Sequence, residues 1–107
     1  MNGLAGKTAL VTGANSETGQ AIAVRLAREG CNVVINYGRK IEEGKYTEKL
    51  VLQAADEAGN SVQTLLVQGD ISKEDDIVRM VNIAIERFGS LDVLVEQRRN
   101  SFCISFA

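Results

Sequence analysis

A glycine-rich turn near the start of the sequence is the first group of residues with the makings of a chemical site. Gly13 and Gly19 flank a stretch that contains Asn15, Ser16 and Thr18. Glycine lets the backbone approach a ligand closely, and the first N–H groups of a following helix attract phosphate. The turn therefore predicts a phosphate- or pyrophosphate-binding loop. The alternative is an ordinary strand-to-helix connection that is capped by Ser16 or Thr18.

Candidate nucleophiles and metal ligands are scarce. The 107 residues contain no histidine, and the two cysteines, Cys31 and Cys103, have no cysteine or histidine near them at metal-ligand spacing. Ser/His and Cys/His nucleophile systems and the common zinc sites are thereby excluded. We expect no metal site, and any chemistry within these residues must use other groups.

The charge balance limits the kinds of partner. Twelve basic and fourteen acidic residues give a formal net charge of -2, which provides no overall positive field for nucleic acid or an anionic membrane. No apolar run approaches the roughly eighteen residues that span a bilayer, and the first residues lack a basic stretch followed by an apolar run. We expect neither nucleic acid nor membrane as a partner, and a cytoplasmic location.

Short apolar runs alternate with longer amphipathic segments along most of the sequence. Strands are predicted at Thr8–Thr12, Asn32–Tyr37, Val62–Val67 and Leu91–Val95, and helices at Thr18–Glu29, at about Lys45–Ala58, and from a capping box at Ser72–Asp75 to Phe88. With right-handed crossovers, this order predicts an α/β fold: a doubly wound parallel sheet with helices on both faces. Ligands of such sheets bind beyond the carboxyl ends of the strands, so Gly13–Gly19, Tyr37–Lys40, Gly69–Ile71 and the residues that follow Val95 should lie along one edge.

Three segments resemble motifs of the short-chain dehydrogenase/reductase family. They are Lys7-Thr8-Ala9-Leu10-Val11-Thr12-Gly13 with Gly19 after it, Gly69-Asp70-Ile71-Ser72, and Phe88-Gly89-Ser90-Leu91-Asp92-Val93-Leu94-Val95. Their order and spacing make the resemblance, which covers about residues 4 to 95, fairly specific. It implies a Rossmann-like fold and an NAD(P)(H)-dependent oxidoreductase that transfers hydride to or from an alcohol or carbonyl, of the sugar-dehydrogenase or 3-oxoacyl-reductase type. Members of the family are usually homo-oligomeric.

The residues after the second predicted strand bear on the choice of dinucleotide. An acid there would accept hydrogen bonds from the adenosine ribose of NAD, whereas basic groups would pair with the extra phosphate of NADP. The sequence has Tyr37, Arg39 and Lys40, with no acid before Glu42. Arg39 offers a planar donor fork that suits phosphate, so NADP(H) is favoured over NAD(H). The alternative is that Arg39 and Lys40 form a solvated charge pair in a loop.

Asp70 and Ile71 follow the third predicted strand. By the resemblance, Asp70 corresponds to the acid that contacts adenine in the family, and Ile71 would lie beside the adenine ring. The alternative is a turn aspartate that bonds its own backbone ahead of a helix, and the two roles are compatible. The predicted cofactor contacts are thus Gly13, Asn15, Ser16, Thr18, Gly19, Tyr37, Arg39, Lys40, Asp70 and Ile71.

The sequence departs from the family pattern in two places. Glu17 replaces a glycine of the loop, which adds charge and bulk beside a bound pyrophosphate. After Val95 the family continues with Asn-Asn-Ala-Gly, and this sequence does not. We therefore expect an incomplete Rossmann-like half-domain over residues 1–95 and a non-family tail over residues 96–107. Apolar residues alternate in that tail, at Phe102, Ile104 and Phe106, so it is able to pair as a strand along the edge of the sheet.

The catalytic residues of the family, a serine and a Tyr-x-x-x-Lys pair, have no counterparts here. Tyr46 is followed by Leu50 where the motif needs lysine, and Tyr37 falls on the cofactor side. We expect a truncated chain that is inactive alone. Two other hypotheses remain: a non-catalytic nucleotide-binding or dimerisation remnant, and another doubly wound module such as a methyltransferase-like binder of an adenosyl group. The segment from Phe88 to Val95 argues against the last.

Overall fold

A computed structural model describes residues 3–98 and 101–106 of the chain. Within them lie the strands β1 (Thr8–Val11), β2 (Asn32–Tyr37), β3 (Thr64–Gln68), β4 (Val93–Arg98) and β5 (Ser101–Phe106), and the helices α1 (Glu17–Arg28), α2 (Ile41–Glu57) and α3 (Glu74–Phe88). Strands and helices alternate along the chain as far as β4. In this part of the chain, no helix combines the length and the apolar character needed to cross a membrane.

The strands form a single sheet in the order β3-β2-β1-β4-β5. In the centre, Leu10 of β1 lies opposite Val34 of β2 on one side and Leu94 of β4 on the other, and all three strands are parallel. Strand β3 extends the parallel arrangement beyond β2, and β5 runs antiparallel to β4. The predicted α/β class and doubly wound sheet are confirmed, with an antiparallel strand added at the edge.

Alternate residues of the central strands enter two apolar cores. Val33 and Ile35 pack with residues of α1 and α2 such as Ala23, whereas Val34 packs with residues of α3 such as Met80. All five side chains are fully buried, and burying a side chain the size of valine or larger contributes roughly 1.5–3 kcal/mol. Because successive side chains of a strand point to opposite faces, a sheet covered on both faces needs apolar residues at every central position.

Several element boundaries differ from those predicted. Helix α2 begins at Ile41 rather than Lys45, and β3 begins at Thr64 rather than Val62. The first three residues of α2 are exposed, so the periodicity of buried residues gives no signal for that turn. Strand β4 begins at Val93 and continues to Arg98. Residue 96, where we expected a non-family tail to begin, therefore lies inside a strand.

Ser72 does not cap α3, contrary to the predicted capping box. The helix begins at Glu74, and Lys73 at the N-cap position makes no side-chain capping bond. The Ser72 hydroxyl donates instead to Asp70 Oδ1 at 2.6 Å, and the Ser72 N–H donates to the same oxygen at 2.9 Å. These two bonds place Ser72 in the Asp70 turn, one residue ahead of the N-cap position, so its hydroxyl does not cap the helix.

The tail strand predicted from the alternating apolar residues is present as β5. Its residues pair one by one with β4, so that Val95 lies opposite Ile104 and Gln97 lies opposite Phe102. Phe102 packs against the core on the α1 and α2 side, while Ile104 and Phe106 are exposed. The tail thus continues the sheet.

Candidate functional site

A cavity of about 670 Å³ opens at the carboxyl edge of the sheet. Its walls come from the segments that follow β1, β2 and β3, together with β4. The lining residues are Gly13, Asn15, Ser16, Asn36, Gly38, Arg39, Gln68, Gly69, Asp70, Ile71, Lys73, Asp76 and Gln97. The cavity lies where a doubly wound sheet is expected to bind its ligand, because parallel strands bring distant segments to this edge.

Six of the ten predicted contact residues line this cavity, namely Gly13, Asn15, Ser16, Arg39, Asp70 and Ile71. The other four, Thr18, Gly19, Tyr37 and Lys40, are not among its lining residues. Thr18 and Lys40 are exposed elsewhere, and Gly19 is buried beneath the turn. The structure therefore brings six of the predicted residues together around one cavity and leaves four outside its lining.

The turn after β1 depends on two glycines and on Ser16. Gly13 has a φ of 65°, a left-handed conformation that disfavours other residues. A Cβ on Gly19 would collide with the Gly13 carbonyl oxygen and lie 2.9 Å from Ala14 Cα, so α1 packs directly onto the turn. Ser16 Oγ donates to the Gly13 carbonyl at 2.8 Å and accepts from the Gly19 N–H at 3.1 Å. Ser16 is thus the helix cap that one interpretation predicted, and the same turn forms a wall of the cavity.

Asn36, near the end of β2, is a buried polar residue that the sequence analysis did not single out as part of a site. The residue is only 1% exposed to solvent. Asn36 Oδ1 accepts from the Gly13 N–H at 2.8 Å, and Nδ2 donates to the carbonyls of Tyr37, Val67 and Gly69 at 3.1, 3.3 and 3.2 Å. The sequence does carry a signal for Asn36, since it is an amide in an otherwise apolar strand. A buried amide requires hydrogen-bond partners from other segments.

Of the three residues predicted to select the cofactor after β2, only Arg39 lines the cavity. The Tyr37 ring packs on α2, where a Cβ on Gly44 would lie 2.8 Å from Tyr37 Cδ1. Lys40 occupies the N-cap position of α2 and is exposed. The Arg39 guanidinium is therefore the group from this segment that an anion in the cavity would meet.

Asp70 forms a turn after β3, and this turn lines the cavity. The two hydrogen bonds from Ser72 hold the pKa of the Asp70 carboxyl below its ordinary value, and the positive charges of Lys73 and Arg39 lower it further. The backbone N–H of Asp70 donates to Asp76 Oδ2 at 2.8 Å. The predicted turn aspartate is confirmed, and its contact with adenine stays a prediction.

Lys73 is a second cation in the cavity lining and was not predicted. Its backbone N–H donates to the Asp70 carbonyl at 3.0 Å, which closes the turn ahead of α3. Its charge acts on Asp70 together with that of Arg39, although the two cations follow different strands. Nothing in the local sequence distinguishes this lysine from a solvated one, because its relation to Arg39 exists only in the folded sheet.

Gln97 brings the last part of β4 into the cavity. Its backbone N–H donates to Thr12 Oγ1 at 2.9 Å, and that hydroxyl donates to the Val95 carbonyl at 3.1 Å. The Gln97 side chain lies against the glycine turn, since a Cβ on Gly13 would collide with its Oε1. Gln97 thus forms part of the site, at the edge where the residues after Val95 were expected to lie.

The cavity combines cationic side chains, which suit an anionic ligand, with some apolar surface. Arg39 and Lys73 add positive charge to the lining and Ile71 adds apolar surface. Ser16, which lines the cavity, is the N-cap of α1, whose first N–H groups have no acceptors inside the helix. Neither tyrosine nor cysteine occurs among the lining residues. Within the described ranges, no group of three His, Cys, Asp or Glu side chains is placed to hold a metal ion. The arrangement is suited to binding a nucleotide.

Comparisons with known proteins agree with this geometry. A family model described as short chain dehydrogenase matches residues 7–97. The granaticin polyketide synthase ketoacyl reductase 2 of Streptomyces violaceoruber is 40% identical over 99 residues, which are 92% of this chain and 36% of that protein. Glucose 1-dehydrogenase 2 of Bacillus subtilis is 39% identical over 92 residues, which are 86% of this chain and 33% of that protein.

Solved structures give the same result. Glucose dehydrogenase of Caenorhabditis elegans, in its apo form, superposes with a TM-score of 0.72 and 32% identity, over 92% of this chain and 40% of that one. This chain spans about a third of the length of the curated relatives that it matches. Because the family model covers the three helices, the whole cavity lining and all of the parallel strands except the last residue of β4, the chain belongs to the short-chain dehydrogenase family.

Proposed function

We propose that this chain is the dinucleotide-binding part of an NADP(H)-dependent oxidoreductase. Membership of the family implies a nicotinamide dinucleotide cofactor. The observation that supports NADP(H) is the pair of cations, Arg39 and Lys73, that line the cavity near Asp70. A site for NAD(H) would favour an acid at the end of β2, where this chain has Tyr37 packed on α2.

The lining residues fit the parts of a dinucleotide. The glycine turn and the first turn of α1 would hold the pyrophosphate, with Gly19 letting the helix pack closely. Asp70 would accept a hydrogen bond from the adenine amine, and Ile71 would lie beside the ring. Arg39 and Lys73 would pair with the extra phosphate of NADP(H), because both charges already act on the Asp70 carboxylate.

Glu17 affects the pyrophosphate end of this arrangement. It is the first residue of α1, its side chain is exposed, and it does not line the cavity. A carboxylate at a helix N-terminus stabilises the helix but repels a phosphate bound at the same end. Since water and salt screen an exposed charge, we propose that Glu17 weakens dinucleotide binding without abolishing it.

The bound nicotinamide supplies the hydride donor or acceptor. The residues of this chain bind and orient the dinucleotide, and the family's serine and Tyr-x-x-x-Lys pair are not among its 107 residues. The relatives compared above are a ketoacyl reductase and a glucose dehydrogenase. We therefore propose that the whole protein interconverts an alcohol and its carbonyl, with a sugar or a 3-oxoacyl compound as substrate.

Calorimetric titration with adenosine 2′,5′-bisphosphate and with AMP tests the cofactor choice. Both ligands lack the pyrophosphate, so Glu17 has little influence on the comparison. A charge-assisted hydrogen bond contributes on the order of 1.5–3 kcal/mol, which corresponds to a preference of about tenfold or more for the bisphosphate. Arg39→Ala should remove most of this preference, and Lys73→Ala should remove part of it.

Lys40→Ala provides the matched control, because Lys40 is the adjacent residue to Arg39 but lies outside the cavity lining. This variant should keep the full preference. Equal affinity of the unmodified chain for the two ligands would refute the assignment of NADP(H). Loss of the preference in Lys40→Ala as large as in Arg39→Ala would show that only the general positive charge of the loop matters.

A further inference from the structure

We propose that Asn36 is a positioning residue that fixes the two ends of the nucleotide cavity relative to each other. Its Oδ1 holds the Gly13 N–H on the glycine turn, and its Nδ2 holds the Gly69 carbonyl directly before Asp70. One planar amide thus connects the phosphate end and the adenosine end. The ligand in this inference rests on the proposed function, whereas the connection itself rests on the hydrogen bonds.

Asparagine is suited to this position because its amide combines one acceptor oxygen with two donor hydrogens. The backbone of β2 makes the neighbouring connections, since Ala14 N–H donates to the Asn36 carbonyl and Gly69 N–H donates to the Tyr37 carbonyl, both at 3.1 Å. Among the described residues, no backbone carbonyl accepts from the Gly13 N–H, which bonds the Asn36 side chain instead. The side chain therefore completes a junction that the strands alone leave open.

The effect of Asn36 on a ligand is indirect. Although Asn36 contributes to the cavity floor, the residue is 1% exposed and both polar atoms of its amide are engaged. The Gly13 N–H points to Asn36, so a bound phosphate must use N–H groups further along the turn. Asn36 acts by holding Gly13 and Gly69, and through Gly69 the position of Asp70.

Asn36→Asp separates the two halves of this connection with almost no change in volume. A carboxylate still accepts from the Gly13 N–H, but it donates nothing to the three carbonyls and repels their oxygens. The Kd for adenosine 2′,5′-bisphosphate should rise tenfold or more. The ratio of its affinity to that of AMP should stay constant, because Arg39 and Lys73 are unchanged.

Asn32→Asp is the matched control. Asn32 lies at the other end of the same strand, and its Oδ1 accepts from the Gln63 N–H at 2.8 Å. It does not line the cavity. The Kd of this variant should stay within twofold of that of the unmodified chain. In all titrations the stoichiometry reports the folded fraction, which separates a change in the site from partial unfolding.

Amide hydrogen exchange tests the connection without a ligand. The Gly13 amide should be protected in the unmodified chain and in Asn36→Asp, and it should exchange at least tenfold faster in Asn36→Ala. An unprotected Gly13 amide in the unmodified chain would overturn the inference, and so would an unchanged Kd in Asn36→Asp or an equal loss in Asn32→Asp. If the unmodified chain binds neither nucleotide, the proposed function fails, while the exchange data still decide whether Asn36 holds the turn.

Discussion

Replacing Gly19 with alanine should destabilise the fold, because the new methyl group would meet only backbone. It would collide with the Gly13 carbonyl oxygen and lie 3.0 Å from Gly13 C and 2.9 Å from Ala14 Cα. That backbone is held in place, since the Gly13 N–H donates to Asn36 at 2.8 Å and the Ala14 carbonyl accepts from Thr47 Oγ1 at 2.9 Å. The turn therefore has little freedom to move away.

The magnitude follows from two opposing effects. Overpacking of this kind costs about 1–3 kcal/mol, and alanine regains at most about 1 kcal/mol of helix propensity over glycine. Because the methyl group meets fixed backbone, the upper end of the overpacking range applies, and we expect Gly19→Ala to lower the free energy of unfolding by about 2 kcal/mol, a decrease in Tm of roughly 10 °C for a domain of this size. Urea and thermal denaturation followed by circular dichroism measure both quantities.

Gly44→Ala is the control, because it introduces the same helix propensity and the same methyl group in α2. There the nearest atom is Cδ1 of the Tyr37 side chain, at 2.8 Å, and a ring at the edge of the fold is able to tilt. The free energy of unfolding should stay within about 1 kcal/mol of the original value. If Gly19→Ala is as stable as the unmodified chain, or if Gly44→Ala loses more, close packing of α1 on the turn is not what requires Gly19.

Three further predictions concern charge and accessibility. Because the folded-state pKa of Asp70 is lowered, its carboxylate stabilises the fold above the unfolded pKa of about 4. Urea denaturation at decreasing pH should therefore show the stability difference between the unmodified chain and Asp70→Asn becoming smaller, and a constant difference would contradict this. Glu17→Gly should tighten binding of NADP⁺ in calorimetry, with a gain that decreases as salt is added, and should leave the affinity for adenosine 2′,5′-bisphosphate unchanged. Exposed Cys103 should react with a thiol reagent in the folded chain, whereas Cys31 is buried and burial raises its pKa. Mass spectrometry should therefore find Cys31 modified only after denaturation. Equal labelling of both thiols in the folded chain would place Cys31 nearer the surface.

The order and class of the elements were predictable because they depend on hydrophobic pattern. The unbroken apolar run from Val33 to Ile35 is typical of a strand covered on both faces, and the structure buries all of it. The start of α2 was not predictable in this way, since Ile41 and the next two residues are exposed. The Ser72 cap was wrong because Ser72 belongs to the turn formed by Asp70, and the helix begins one residue later than a cap at Ser72 requires.

The site was predictable where its geometry is local. The glycine turn and the Asp70 turn each lie within a few consecutive residues, and both form walls of the cavity. Lys73 was missed because its relation to the other lining residues arises when separate strands end at one edge. The residues after Val95 were expected at this edge, although Gln97 itself was not named. Lys40 was included because it follows Arg39 in the sequence, yet it occupies the N-cap position of α2 outside the cavity lining.

The two departures from the family pattern affect the same end of the cavity. Glu17 begins the helix that would face the pyrophosphate, and the Gln97 side chain lies against Gly13 in the same turn. The other end, where we propose that adenosine binds, has Asp70 and two cations from different loops. Under the proposed function, repulsion and crowding would act on the pyrophosphate, while attraction would act on the adenosine phosphate. It follows that most of the affinity of this chain for a dinucleotide should come from the adenosine end, where the 2′-phosphate distinguishes NADP(H) from NAD(H).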